Sequence, residues 1–178
     1  MLEIDRGDFV LANPYQNQPQ SINYNVTIST PHMYAIALEY LSPYFTENAR
    51  ILDIGSGSSY LTCALSALTN YKGSVIGVEH VIKLINFGIK NVKKNHGNLI
   101  NDKKIIIVNG DGRLGCKQYR PYKAIHVRVA VEEVPNELFE QLDKNGRMFI
   151  PMGKRGDKKY AYLIKMDLDL LLGKNFYL

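Results

Sequence analysis

Short runs of β-branched and aliphatic residues alternate with segments of helical periodicity along most of this 178-residue chain. The strand-like runs cover residues 50–54, 74–78, 104–108, 124–131, 147–150 and 160–165. Helical patterns cover residues 31–41, 60–68, 81–95 and 135–142. Strands made of consecutive apolar residues are buried on both faces, which calls for a mostly parallel sheet with helices on each side. The pattern therefore predicts one doubly wound α/β domain over residues 1–178.

Composition narrows the class of protein further. Hydrophobic residues make up 46% of the chain and charged residues 22%, which suits a packed globular core. We see no signal peptide and no run of about 18 apolar residues, so we expect a cytoplasmic location and no membrane partner. The net charge of +5 is spread among interspersed acids and bases, so no nucleic-acid partner is expected. We also expect a monomer, and no metal, because no group of His, Cys and carboxylates has ligand spacing.

A glycine-rich turn follows the first predicted strand of the sheet. Gly55 permits a tight turn and Gly57 lets the backbone approach a ligand closely. A lone Gly-x-Gly also fits an ordinary strand-to-helix connection. Tyr60 occupies the third glycine position of a dinucleotide fingerprint, which argues against a bound pyrophosphate. Asp53 would also repel a pyrophosphate, whereas it could attract the cationic part of S-adenosylmethionine (SAM), directly or through water.

Two more acids stand at the ends of the next two predicted strands. Glu79 ends the second strand, where a carboxylate can accept both hydroxyls of a ribose. Asp111 follows the third strand and could accept from an adenine amino group, with the backbone of Gly112 beside the ring. Three strand-end turns that each carry an acid predict a SAM site, at the carboxyl edge of the sheet where such folds bind ligands.

Several further segments resemble the protein-L-isoaspartate O-methyltransferase family. They include Asn-Pro-Tyr at 13–15, Gly-Asp-Gly-Arg at 110–113 and, most specifically, Thr-Ile-Ser-Thr-Pro-His-Met at 27–33. The resemblance spans nearly the whole chain and implies a Rossmann-like SAM-dependent methyltransferase. Such enzymes transfer a methyl group from SAM to the free α-carboxylate of L-isoaspartyl residues in damaged proteins, leaving S-adenosylhomocysteine. The ester closes to a succinimide, which hydrolyses partly to aspartate.

The resemblance also implies roles for individual residues. Ser29 corresponds to the family's active-site serine. With the strand-end residues above, the predicted cofactor-binding set is Val26, Thr27, Ile28, Ser29, Tyr34, Asp53, Gly55, Ser56, Gly57, Ser58, Glu79, His80, Asp111 and Gly112.

Ser29 has two interpretations from the residues alone. Its hydroxyl could fix one oxygen of a substrate carboxylate ahead of a helix N-terminus, which favours anions. Alternatively, Ser29 or Thr30 is an ordinary N-cap of the helix that Pro31 begins. His126 could be a packed core histidine or could shape the substrate loop, and His32 is expected to be structural.

The chain departs from the family pattern in three places. Arg128 stands where the family has glycine, and Glu132 and Glu133 follow; Arg128 could narrow the site or attract the substrate carboxylate. Ser59 also replaces a usual glycine, which is a mild change if its backbone angles are ordinary. Compared with the family, a helical segment before Met1 and a stretch after Leu178 are missing, so the chain looks truncated at both ends. These departures leave a non-catalytic SAM-binding domain as an alternative, and the positive charge leaves a nucleic-acid methyltransferase as a weaker one.

Overall fold

The computed structural model describes residues 3–153, 159–166 and 169–172, with side chains described for residues 3–153. Five α-helices are α1 (Pro31–Leu41), α2 (Tyr60–Leu68), α3 (Ile82–Asn95), α4 (Gly97–Asn101) and α5 (Asn136–Gln141). Nine strands are β1 (Gln20–Ser21), β2 (Thr27–Ile28), β3 (Arg50–Ile54), β4 (Ser74–Glu79), β5 (Ile105–Asn109), β6 (Tyr122–Val127), β7 (Leu142–Met152), β8 (Lys159–Met166) and β9 (Asp169–Leu172).

Seven of these strands form one sheet in the order β5-β4-β3-β6-β7-β8-β9. The first five are parallel to one another, and β8 and β9 extend the sheet antiparallel. After β3 the chain first adds strands on one side, through β4 and β5, and then returns to the other side of β3 with β6. Open α/β sheets bind ligands where the strand order reverses in this way, at the carboxyl ends. The topology therefore places the switch point between β3 and β6.

The core lies on both faces of the sheet, because successive strand residues point to opposite sides. In β3, Ile51 packs into a cluster with residues of α1, α2 and α3. Its neighbours Leu52 and Ile54 pack into a second cluster, which includes Leu138 of α5. All six residues of β3 and β4 in these clusters are 6% exposed or less. The predicted doubly wound, mostly parallel sheet with helices on both faces is confirmed.

Helix α1 begins as its sequence predicts. Thr30 is the N-cap residue with extended backbone angles, and Pro31 occupies the first turn, where its missing N–H leaves no hydrogen bond unmade. The Thr30 side chain makes no capping hydrogen bond. Ser29 therefore precedes the N-cap, and its hydroxyl does not serve as an ordinary helix cap.

The predicted fourth strand is too long at its carboxyl end. It ends at Val127 rather than Val131. The hydrogen bond from the Arg128 N–H to the Ile54 carbonyl oxygen, 3.1 Å, is the last contact of this segment with β3, and the chain then leaves the sheet. Val131 makes only an isolated bridge to Met152. The valines beyond β6 therefore line a cavity instead of continuing the strand.

The sequence patterns also missed short elements. These are the two-residue strands β1 and β2, helix α4 and strand β9, and β7 begins at Leu142, five residues before the predicted start. Elements of two to five residues carry too few side chains to show a periodicity. Within the described residues, no helix is long and apolar enough to cross a membrane.

Candidate functional site

The glycine turn leaves β3 and crosses the carboxyl end of β4. Gly55 and Gly57 have φ angles of 80° and 53°, in the left-handed region that glycine adopts without strain. The N–H groups of Gly55 and Ser56 both donate to the carbonyl oxygen of Val78, at 2.8 and 3.2 Å. The turn is therefore fastened to the neighbouring strand, with its backbone facing the switch point.

Glu79 fixes the turn from the end of β4. Its carboxylate is 4% exposed, and Oε2 accepts a hydrogen bond from the Gly57 N–H at 3.1 Å. Oε1 accepts from the N–H groups of His80 and Val81, at 2.9 and 3.1 Å. Oε1 therefore has both lone pairs engaged, whereas Oε2 keeps a second lone pair. Glu79 can thus accept from a ligand hydroxyl while it still holds the turn.

Asp53 does not face the cavity as the sequence suggested. It is 1% exposed and both of its oxygens are engaged inside the fold. The Thr62 hydroxyl donates to Oδ2 at 2.7 Å, and His126 Nδ1 lies 2.9 Å from Oδ1. Asp53 lines neither of the two cavities described below, and its contact with a bound sulfonium, directly or through water, stays a prediction.

A cavity of about 630 Å³ opens at the carboxyl ends of β3, β4 and β5. Cofactor sites typically occupy about 300–1,000 Å³. Five residues of the predicted set line it, namely Gly55, Glu79, His80, Asp111 and Gly112. The predicted set lacked Gly110, two polar residues of the lining and its apolar wall. The polar residues are Asn109 and Arg113, and the wall consists of Ile54, Val78, Val127, Val129, Ala130, Val131, Pro135 and Leu138. An acidic rim facing an apolar wall fits an adenosine group, with the wall covering the ring.

Asp111 is paired at the rim of this cavity. The Arg113 guanidinium and the Arg113 N–H both donate to its carboxylate, with contacts from 2.6 to 3.1 Å. These bonds lower the pKa of Asp111 to about 2, so the group is ionised at neutral pH. An ionised carboxylate is an acceptor only, which suits the predicted contact with an adenine amino group.

Ser29 lines a second, smaller cavity of about 20 Å³ on the other side of β6. The other lining residues are Met33, Tyr34, His126, Val127, Arg128, Phe149 and Pro151. Val127 also lines the larger cavity, so the two cavities meet at the end of β6. His126 is buried, and its ring lies parallel to that of Phe149. It shares the lining of this cavity with Ser29, so both its structural role and its role in the substrate loop stay predictions.

Hydrogen bonds on both sides hold the Ser29 backbone. Its N–H donates to the Tyr34 hydroxyl at 3.4 Å, and its carbonyl oxygen accepts from Arg6 Nη2 at 2.7 Å. The predicted structural role of His32 agrees with its bond to Asn17, at 2.7 Å from Nδ1 to Oδ1. Ser29 is therefore presented on a fixed backbone.

Several other predicted cofactor residues lie behind the cavity walls. Ser56 and Ser58 are buried beneath the turn, and Ile28 is fully buried in the core. Val26 packs against that core, and Thr27 is exposed on β2. None of these five lines either cavity. Their contacts with the cofactor stay predictions.

Ser59 differs from the expectation of ordinary backbone angles. Its φ and ψ angles are 67° and 15°, a left-handed conformation that costs a residue with a Cβ about 1–2 kcal/mol. Its hydroxyl is also buried without a hydrogen-bond partner among the described residues. Both features follow from a site that the turn geometry suits to glycine.

We therefore expect Ser59→Gly to stabilise the protein. Relief of the backbone strain and of the unpaired hydroxyl outweighs the larger chain entropy of glycine, for a net gain of about 1 kcal/mol. For a chain of this size that is a rise in Tm of about 2–4 °C by calorimetry. Asn70→Gly is the control, because Asn70 is exposed at φ 51° and asparagine tolerates this conformation. A lower Tm for Ser59→Gly than for the unchanged protein would contradict the strain.

No cluster of three or more His, Cys, Asp or Glu able to hold a metal ion occurs in the described part of the chain.

Comparison with known proteins agrees with the geometry. The sequence model of the protein-L-isoaspartate(D-aspartate) O-methyltransferase family matches residues 1–175. A protein-L-isoaspartate O-methyltransferase of Caenorhabditis elegans is 41% identical over 98% of this chain and 76% of its own length. Protein-L-isoaspartate O-methyltransferase 1 of Arabidopsis thaliana is 40% identical over 86% of this chain and 68% of its own length.

A solved structure is similar over almost the entire chain. It is a protein-L-isoaspartate O-methyltransferase from Plasmodium falciparum in complex with S-adenosyl-L-homocysteine, 28% identical, with a TM-score of 0.90. The match covers 99% of this chain and 84% of the other. Together with the glycine turn, the acidic strand ends and the cavity beside Ser29, these matches show that the chain belongs to the protein-L-isoaspartate(D-aspartate) O-methyltransferase family.

Proposed function

We propose that this chain methylates the free α-carboxylate of L-isoaspartyl residues in damaged proteins, with SAM as the methyl donor. The observation that carries this proposal is the meeting of the two cavities at Val127. One cavity has the acidic rim and apolar wall that suit adenosine, and the other presents Ser29. A methyl group carried at their junction would face a carboxylate held by Ser29.

The residues present support transfer without a strong general base. A carboxylate is already ionised at neutral pH, and SAM, when bound, supplies a methyl group activated by its sulfonium. Glu79 Oε2 would accept from a ribose hydroxyl, and the wall of the larger cavity would exclude water from the ring. The Ser29 hydroxyl would fix one carboxylate oxygen, so that the other lies in line with the methyl carbon. The chain's contribution is then positioning and desolvation. The ester leaves the site and closes to a succinimide, which hydrolyses partly to aspartate.

Replacing Ser29 by alanine tests its role. Because Arg6 and Tyr34 bind the Ser29 backbone rather than its side chain, Ser29→Ala should keep the fold and most of the affinity for S-adenosylhomocysteine. Loss of the hydroxyl should lower kcat for an isoaspartyl peptide about ten- to hundredfold. Radiolabel transfer from SAM gives the rate, and calorimetry gives the affinity.

Ser42→Ala is the matched control for this experiment. Ser42 is exposed and its hydroxyl donates to the Glu39 carbonyl oxygen at the other end of α1. We expect it to keep full activity. If Ser29→Ala loses S-adenosylhomocysteine binding as severely as turnover, Ser29 serves the cofactor or the fold rather than the substrate. If it keeps full turnover, it has no role in the transfer.

We further propose a monomeric, cytoplasmic enzyme whose partners are isoaspartyl-containing proteins rather than nucleic acids or membranes. The interspersed charges of the sequence support this proposal. The alternative of a non-catalytic domain finds no support, because Ser29, the glycine turn and the cavity rim are all in place and the relatives are named as methyltransferases.

A further inference from the structure

The side chain of Arg128 lies on the glycine turn. The bond from the Arg128 N–H to the Ile54 carbonyl oxygen, 3.1 Å, holds the end of β6 against the end of β3. A Cβ atom built on Gly55 would lie 3.3 Å from Arg128 Cβ, and one built on Gly57 would lie 2.7 Å from its Nη1. The guanidinium therefore rests directly on the Gly57 backbone, and Arg128 follows Val127, the residue that lines both cavities.

Arg128 carries a charge that nothing described in the structure neutralises. It is half-buried and lines the Ser29 cavity, yet its side chain has no hydrogen bond or ion pair within residues 3–153. The two buried acids near the turn are already engaged. Asp53 is bound by Thr62 and His126, and Glu79 is bound by backbone N–H groups. An unpaired guanidinium that is partly removed from water favours a bound anion.

A second arginine stands on the other side of Ser29. Arg6 is 4% exposed, its Nε and Nη2 donate to the carbonyl oxygens of Pro14 and Ser29 at 2.7 Å, and its Nη1 is buried without a partner among the described residues. Burial lowers the pKa of Arg6, Tyr34 and Tyr60 oppose this shift, and the charge of Arg128 adds a smaller lowering. An anion bound near both guanidinium groups would offset the repulsion between their charges.

We propose that Arg128 binds a carboxylate at the junction of the two cavities, with Arg6 as a second, buried cation that favours the same anion. This inference rests on the proposed function, which brings two carboxylates to the junction. One belongs to the amino-acid part of SAM, and the other is the α-carboxylate of the isoaspartyl residue. A guanidinium can bind either through two parallel hydrogen bonds. A glycine at position 128 could not do so.

Substitution by glutamine removes the charge while keeping most of the side-chain volume. Arg128→Gln and the unchanged protein are titrated by calorimetry with S-adenosylhomocysteine and with 5′-methylthioadenosine, which lacks the amino-acid carboxylate. The KM of an isoaspartyl peptide is measured at saturating SAM. Arg120→Gln is the matched control, because Arg120 is exposed at the opposite end of β6. Thermal unfolding of both variants checks that the fold is retained.

We expect loss of this charged contact to weaken one ligand about ten- to hundredfold. A lower affinity for S-adenosylhomocysteine, with unchanged affinity for 5′-methylthioadenosine, assigns Arg128 to the carboxylate of the methyl donor. Unchanged affinity for both nucleosides, with a KM for the peptide raised by the same factor, assigns it to the isoaspartyl carboxylate. Arg120→Gln should change none of these values.

Three results would overturn the proposal. Arg128→Gln could bind S-adenosylhomocysteine and turn over the peptide like the unchanged protein. It could lose affinity equally for 5′-methylthioadenosine, which has no carboxylate to bind. It could bind both nucleosides more tightly, which would make Arg128 a plug of the cofactor cavity. If the unchanged protein methylates no isoaspartyl peptide, the proposed function fails, and the calorimetry alone then decides the role of Arg128.

Discussion

Replacing Glu79 by glutamine should weaken S-adenosylhomocysteine binding about a hundredfold. A charge-assisted hydrogen bond from a ribose hydroxyl to Oε2 would be lost, and such a bond contributes about 1.5–3 kcal/mol. The same change places an amide N–H₂ group against the backbone N–H donors that the carboxylate now accepts, at Gly57 or at His80 and Val81. The glycine turn would therefore lose its attachment to β4 at the same time. Calorimetric titration measures the affinity.

Glu47→Gln is the control for the loss of a carboxylate. Glu47 is exposed and pairs only with Lys72 among the described residues. It precedes the amino end of β3, whereas the glycine turn follows the carboxyl end of that strand. The substitution should leave the affinity unchanged. An affinity of Glu79→Gln within threefold of the unchanged protein would remove Glu79 from the cofactor site.

Replacing Asp53 by alanine should lower the free energy of unfolding by about 3–5 kcal/mol. The change leaves the Thr62 hydroxyl and His126 Nδ1 buried and unpaired, and it opens a small cavity under the glycine turn. For a chain of this length the Tm should fall by about 10 °C. Because His126 also lines the Ser29 cavity, turnover should fall even at temperatures where the variant is folded.

Asp143→Ala is the matched control. Asp143 pairs with Lys123 at 2.9 Å, and both side chains are partly exposed. Exposed ion pairs contribute at most about 1 kcal/mol, so the control should unfold within a few degrees of the unchanged protein. Equal destabilisation by the two substitutions, measured by denaturant titration, would show that the buried Asp53 network adds nothing special to stability.

Much of the fold could be predicted from the sequence, because its strands are apolar throughout and its helices are long enough to repeat. The turn after Ile54 and the acids Glu79 and Asp111 could also be located, since each lies at or just beyond the carboxyl end of a strand. Parallel strands bring these ends to one edge of the sheet. That rule alone gathers the cavity rim, without any knowledge of distances.

The remaining features depend on side-chain direction and tertiary contacts, which the sequence does not display. Asp53 precedes Ile54, the last residue before the glycine turn, yet its side chain contacts His126 on β6, 73 residues along the chain. The β-branched valines after Val127 favour a longer strand, but the chain leaves the sheet after the Arg128 N–H bonds to β3. The left-handed angles of Ser59 were hidden because serine gives no sign of them, and only the family's glycine hinted at the strain.

The proposed methylation of isoaspartyl residues can be tested with a pair of peptides that differ only in one linkage. One contains an L-isoaspartyl residue and the other the normal L-aspartyl residue, and methyl transfer from labelled SAM is measured for each at equal concentration. We predict rapid methylation of the isoaspartyl peptide and no transfer to the aspartyl peptide above the rate without enzyme. Ser29→Ala should lose most of the transfer to the isoaspartyl peptide. Equal methylation of both peptides, or methylation of neither by a folded protein that binds S-adenosylhomocysteine, would contradict the proposed function.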